Sequence, residues 1–151
     1  MTNLERAKHL LRTDDFTCVL CKDEAVYTSK SLGISPLLDF VAGGTEFKGF
    51  SAADKIVGKA AALLFVLAGV KEAHGSVMSE DAVRVFTKHG VAYSFDELTP
   101  LIHNRAGTDM CPMEQAVRAI DEPADAPPAI HRALDELRKR AVAAADAEQH
   151  A

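Results

Sequence analysis

Two segments of this chain set reactive or charged side chains where helices are expected to open: Ser51-Ala-Ala-Asp-Lys-Ile-Val-Gly-Lys59 and Asn104-Arg-Ala-Gly-Thr-Asp-Met-Cys-Pro-Met-Glu114. A helix N-terminus carries free backbone N–H groups and partial positive charge, so it attracts anions and can favour a thiolate. Cys111 at the second opening is therefore a candidate nucleophile. Glu114, three residues on, is a candidate acid/base or a cap, and Arg105 is a candidate source of positive charge. At the first opening Asp54 suits the helix dipole, whereas Lys55 and Lys59 oppose it, and cations in a first turn imply a compensating anion such as phosphate. The plainer reading has both lysines solvated or paired with Asp54 or Glu80, and Cys111 packed beside a capping Glu114.

A third opening, Ser79-Glu80-Asp81, reads as an N-cap followed by dipole-compatible acids. The same groups can hydrogen-bond a ribose or a base. Asn104 and Arg105 belong to a polar loop that is either a turn or a ligand lid. Cys18-Val-Leu-Cys21 matches Cys-x-x-Cys only superficially, because strand residues three apart point to opposite faces and no second pair exists. His74 falls in an expected strand and is read as packing or pairing, and His103 adjoins the polar loop.

The elements that must position these groups can be read from periodicity. Thr2-x-x-Glu5 is a capping box for a helix with Leu4, Ala7 and Leu11 on one face. Residues 16–21 and 25–28 read as two strands of a hairpin. Ser35-Pro36 opens a helix that Gly43-Gly44 stop. From Ser51 and Asp54 a helix is expected to run to a C-cap at Gly69, apolar almost all round and hence central. A strand over 72–78, a helix from Ser79 to Gly90 and a strand over 91–94 follow, with residues 96–102 read as a helical turn. Cys111-Pro112 opens a last core helix through Ile120. Residues 121–128 read as a linker to a tail helix with an apolar stripe of Ile130, Leu134, Leu137 and Ala141. The order implies a three-layer α/β/α domain. Its strands from residues 72 and 91 should be parallel, joined by a right-handed crossover, with ligands beyond their carboxyl ends.

Composition narrows the function classes. The chain has 151 residues, a net charge of −5 and no basic stripe, so a nucleic acid polymer is not the expected partner. No membrane span and no signal peptide are read, and three cysteines fit a reducing cytoplasm. The six histidines show no metal-ligand spacing, so no metal and no cofactor is expected.

With its elements laid out this way, the chain resembles a family of uncharacterised prokaryotic proteins with a cytidine-deaminase-like fold. The residues that carry the resemblance are Asp54-Lys-Ile-Val-Gly-Lys-Ala-Ala-Ala62 and Met110-Cys-Pro-Met-Glu114 with Asn104-Arg105 upstream, supported by Thr17-Cys-Val-Leu20 and Tyr27-Thr28-Ser29. The likeness spans roughly residues 3 to 120, the extent of a domain. It implies a domain over 1–120 and an added segment over 121–151, and by analogy a homo-oligomer. It also permits a negative. Zinc deaminases need a His or Cys with a catalytic Glu at one helix start and Pro-Cys-x-x-Cys at the next. The corresponding openings, Ser51–Lys59 and Val77–Ala82, contain neither His nor Cys, so conventional zinc-dependent deamination is not expected. The expected function is a zinc-free pocket for a nucleotide or another phosphorylated small molecule. In that pocket Lys55, Lys59 and Arg105 would meet phosphate, and Ser79, Glu80 and Asn104 would meet sugar or base. Two alternatives stand beside it: a metal-independent transferase or hydrolase using Cys111 or Glu114, and an interaction protein acting through the C-terminal helix.

Overall fold

The computed structural model describes every residue except Leu32, Gly44, Thr45, Arg105, His150 and Ala151. Gly44 of the expected helix stop and the candidate Arg105 therefore lie outside the described residues. Helix α1 (Asn3–Thr13) opens on the expected capping box: Thr2 Oγ1 accepts from the Glu5 N–H at 3.1 Å, and Glu5 Oε2 accepts from the Thr2 N–H at 2.8 Å. Strands β1 (Cys18–Lys22) and β2 (Ala25–Ser29) form the expected antiparallel hairpin. Helix α2 (Ser35–Ala42) takes Ile34, not Ser35, as its N-cap.

The segment Ser51–Val57 is a strand, β3, and not the opening of a helix. It is the central strand of the sheet, paired to β1 on one side and β4 on the other. Ser51, Ala52 and Ala53 are all buried, so the half-buried alternation that advertises a strand is missing. Their small size and the following charged pair look helical by propensity alone. Helix α3 (Lys59–Ala68) starts after an N-cap at Gly58 and ends at Gly69 in the left-handed region, φ +88°. Residues Ala60 to Phe65 are all buried, as expected of a central helix. Consequently Lys59 belongs to the first turn of a helix, while Asp54 and Lys55 belong to a strand.

Strand β4 (Glu72–Ser79), helix α4 (Glu80–His89) and strand β5 (Ala92–Thr99) follow in the expected order. Residues 96–99 continue β5 where the sequence reading places a helical turn. As an edge strand exposed along most of its length, β5 shows no alternation for a sequence reading to detect. Helix α5 (Pro112–Ala116) ends short of the expected Ile120, and a 3₁₀ turn at Pro123–Asp125 leads into α6 (Ala126–Gln149). The sheet order is β2-β1-β3-β4-β5; the β2–β1 and β1–β3 pairs are antiparallel, and the β3–β4 and β4–β5 pairs are parallel.

Helices flank both faces of the sheet unequally. One face is covered by α1, where Ala7 and Leu11 pack on Val19, Cys21 and Ala53. The opposite face carries the larger core, into which α2, α3, α4, α5 and the start of α6 bury Leu37, Leu64, Phe86, Met113 and Ile130. Cys18 belongs to this core and Cys21 to the other, so the two thiols lie on opposite faces as the strand period requires. Helix α6 docks only through its first turns: Ile130 is fully buried, but Leu137 and Val142 are 37% and 57% exposed. Ending the chain at Asp135 is therefore expected to change unfolding free energy by no more than about 0.5 kcal/mol, as for surface changes in general. A thermal melt that falls by many degrees would show that the exposed turns stabilise the fold.

Candidate functional site

Parallel strands β3 and β4 end side by side, and helices α3 and α4 start from their carboxyl ends. This is where open α/β sheets hold ligands. The α3 N-terminus carries an internal anion. Glu114 Oε1 accepts from the Lys59 N–H at 2.6 Å, and Oε2 accepts from the Ala60 N–H at 2.9 Å. The second segment singled out in the sequence thus reaches Lys59, the last residue of the first, with α5 supplying the carboxylate that caps α3. Gly58 makes the approach feasible. A Cβ there would fall within 3.0 Å of Oε1, Cδ and Oε2 of Glu114.

Glu114 is 9% exposed, and burial pushes its carboxyl above the usual range. The N–H groups of Ala60 and Lys59 pull it back, while the negative charge of Asp81 adds to the rise. Lys59 Nζ donates to the Arg118 carbonyl at 2.9 Å, tying α3 to the end of α5. At the start of α4, Ser79 Oγ accepts from the Ala82 N–H at 3.1 Å, and Asp81 pairs with Arg84.

Two cavities open beside this cap. The smaller, about 340 Å³, is lined by Lys59, Ser79, Asp81, Leu101, Ile102, Met110, Glu114 and Arg118. The larger, about 650 Å³, is lined by Leu101, His103, Gly107, Thr108, Asp109, Met110, Gln115 and Arg118. Leu101, Met110 and Arg118 are walls of both. The combined lining is amphipathic: two cations and two carboxylates face Leu101, Ile102 and Met110 in the smaller cavity.

Three sequence-predicted residues, Lys59, Ser79 and Glu114, come together in the smaller cavity. Arg105 lies outside the described residues, and the other described candidates do not join them. Lys55 and Glu80 are exposed and line neither cavity. Asn104 uses its side chain to close the loop, accepting from the Thr108 N–H at 3.0 Å and donating to Thr108 Oγ1 at 3.2 Å. Cys111 is the N-cap of the five-residue α5, half-buried against the main core, and lines neither cavity. Asp54 lies opposite Cys18 on the neighbouring strand and accepts from the Ile56 N–H at 3.2 Å. Burial raises its carboxyl to about 7, against which the N–H of Ile56, the Cys18 thiol and the Lys55 N–H act. The same burial, with the charge of Asp54, pushes the Cys18 thiol up, so it stays protonated.

Sequence reasoning missed Arg118, Met110 and Gly58. Arg118 sits four residues after Glu114, a spacing that would have paired the two on a continuous helix. Gly58 stands at the junction of β3 and α3, where a small residue signals a close approach. Among the described residues no three His, Cys, Asp or Glu side chains converge on a metal position, and no helix is long and apolar enough to cross a membrane.

A search of curated proteins finds no match. A solved structure of a DUF1893 family protein, TM1506 of Thermotoga maritima, aligns with a TM-score of 0.78 at 27% identity, covering 90% of this chain and 91% of that one. Residues 6–134 match the family described as a domain of unknown function, DUF1893. That match takes in the whole sheet, the cap at Glu114 and the docked start of α6, and the chain belongs to the DUF1893 family.

Proposed function

We propose that this chain is a zinc-free, cytidine-deaminase-like domain that binds a nucleotide or another phosphorylated small molecule at the carboxyl ends of β3 and β4. The observation that carries this reading is the cavity of about 340 Å³ in which Lys59 and Arg118 face Ser79 and Glu114 at two helix starts. Two cations offer charge to a phosphate. The hydroxyl of Ser79 and the carboxylates of Asp81 and Glu114 offer acceptors to a sugar or a base. Leu101, Ile102 and Met110 provide the apolar wall that most ligand pockets have. The adjoining larger cavity gives such a ligand room to extend toward His103 and Thr108.

Native mass spectrometry of protein purified without added ligand tests the reading directly. A bound mass lost on denaturation identifies a noncovalent ligand, whereas one that survives locates a covalent adduct. Calorimetric titration with nucleoside 5′-monophosphates, with inorganic phosphate as a control, gives the second readout. Lys59→Ala is expected to weaken binding about tenfold, the scale of one charge-assisted hydrogen bond. Unchanged affinity would remove Lys59 from the site.

The enzyme alternative rests on Glu114, whose raised carboxyl lines the cavity and suits acid/base work better than Cys111, which lines neither. The interaction alternative has the exposed turns of α6 in its favour, and the protein ended at Asp135 would then lose self-association.

A further inference from the structure

The opposite face of the sheet carries a second group of side chains whose types do chemistry. His74 lies on β4 directly beside Ser94 on β5. Its ring is 3% exposed, and its Nδ1 stands 2.7 Å from Ser94 Oγ. Its Nε2 has no full hydrogen bond and lies 3.5 Å from Asp96 Oδ2. Two residues apart on β5, Ser94 and Asp96 share a face, and the ring of His74 lies between their polar atoms. Helix α1, which covers this face, packs chiefly on β1 and β3, so the β4–β5 end is left open and Ser94 is half-exposed.

We propose that Ser94, His74 and Asp96 form a nucleophilic site that takes a small activated carboxylic ester or thioester. The negative charge of Asp96, 3.5 Å from Nε2, favours the neutral tautomer protonated there, which leaves Nδ1 free to accept from the Ser94 hydroxyl. Burial and the positive charges of Lys8 and Arg12 favour the neutral ring, while the charge of Asp96 opposes them. Arg12 also lies 3.8 Å from Asp96 Oδ1. In the reaction Ser94 Oγ bonds to the carbonyl carbon while its proton passes to Nδ1. The bond from that carbon to the leaving oxygen or sulfur then breaks, and the leaving group takes the proton back from Nδ1. Water repeats the sequence on the acyl-serine and releases the carboxylic acid. The hydroxyl also ties β5 to β4, so the test must read chemistry as well as stability.

A fluorophosphonate probe supplies that readout, because Oγ bonds to phosphorus and fluoride leaves only where a serine is activated. The expected result is one adduct that peptide mapping places on Ser94, absent from Ser94→Ala and from the denatured chain. Asp96→Asn is expected to slow labelling about tenfold and to shift the midpoint of its pH–rate profile downward, since loss of the carboxylate lowers the affinity of His74 for a proton. A merely structural Asp96 would leave that midpoint in place. No adduct, an adduct on another residue, or a Ser94 adduct indifferent to Asp96→Asn would each overturn the site.

Discussion

Gly58→Ala is expected to destabilise the protein by about 3 kcal/mol, the scale of losing two hydrogen bonds to a carboxylate. The backbone at Gly58 is not the obstacle, since its φ of −96° suits any residue. The added Cβ instead occupies the space of the Glu114 carboxyl group. That side chain can rotate away, but then the N–H groups of Lys59 and Ala60 lose their acceptor and a largely buried carboxylate loses its donors. A double-mutant cycle with Glu114→Ala separates this from ordinary crowding. If the carboxylate is what the Cβ displaces, the second substitution adds little, and the pair couples by nearly the whole single loss, about 3 kcal/mol. Additive losses in urea unfolding would show that Gly58 matters for another reason. The same cycle bears on binding, because a displaced Glu114 leaves the α3 N-terminus open to an external anion. A rise in phosphate affinity in Gly58→Ala would then accompany its loss of stability.

Asp54→Asn is expected to remove a pH dependence of stability. The carboxyl of Asp54 is raised from 3.8 to about 7 in the folded chain, chiefly by burial. A group whose folded pKa lies above its unfolded one contributes stability in full below about pH 4 and loses it as pH rises to about 7. At 1.36 kcal/mol per unit the ceiling is about 4 kcal/mol, and water at this half-buried site reduces it to about 2. Asparagine keeps an acceptor for the Ile56 N–H but does not ionise. Unfolding free energies measured from pH 4 to pH 8 should therefore show the variant gaining about 2 kcal/mol on the wild type across that range. Glu114 shifts in the same direction but is present in both proteins, so it cancels in the difference. A difference flat in pH would mean that Asp54 ionises alike in the folded and unfolded chain.

Both predictions concern positions whose surroundings the sequence did not disclose. Asp54 was legible as a charged residue near apolar ones, but its assignment to a helix start put it beside the wrong partners. Its true neighbours, Cys18 and Gly75, come from strand pairing on either side. Glu114 was legible as a cap, yet the sequence pointed to capping of its own helix. It caps α3 instead, 55 residues away along the chain. Among the residues singled out in advance, Lys59, Ser79 and Glu114 meet because the ends of β3 and β4 adjoin, which no local pattern encodes.

By itself the sequence determined features whose partners lie within a few residues. The Thr2–Glu5 capping box, the Ser79 cap, the hairpin about residues 22–25, the left-handed stop at Gly69 and the opposite facing of Cys18 and Cys21 are all of this kind. Each depends on backbone geometry over a single turn or strand, so residue type and spacing suffice. The tertiary structure alone decided that Ser51–Val57 is the central strand, that Glu114 caps α3 and that His74 meets Ser94 and Asp96. Those outcomes depend on which strands pair, in what register, and which helix packs over their ends. They are set by burial of the whole core, in which small residues such as Ser51, Ala52 and Ala53 serve a strand as readily as a helix.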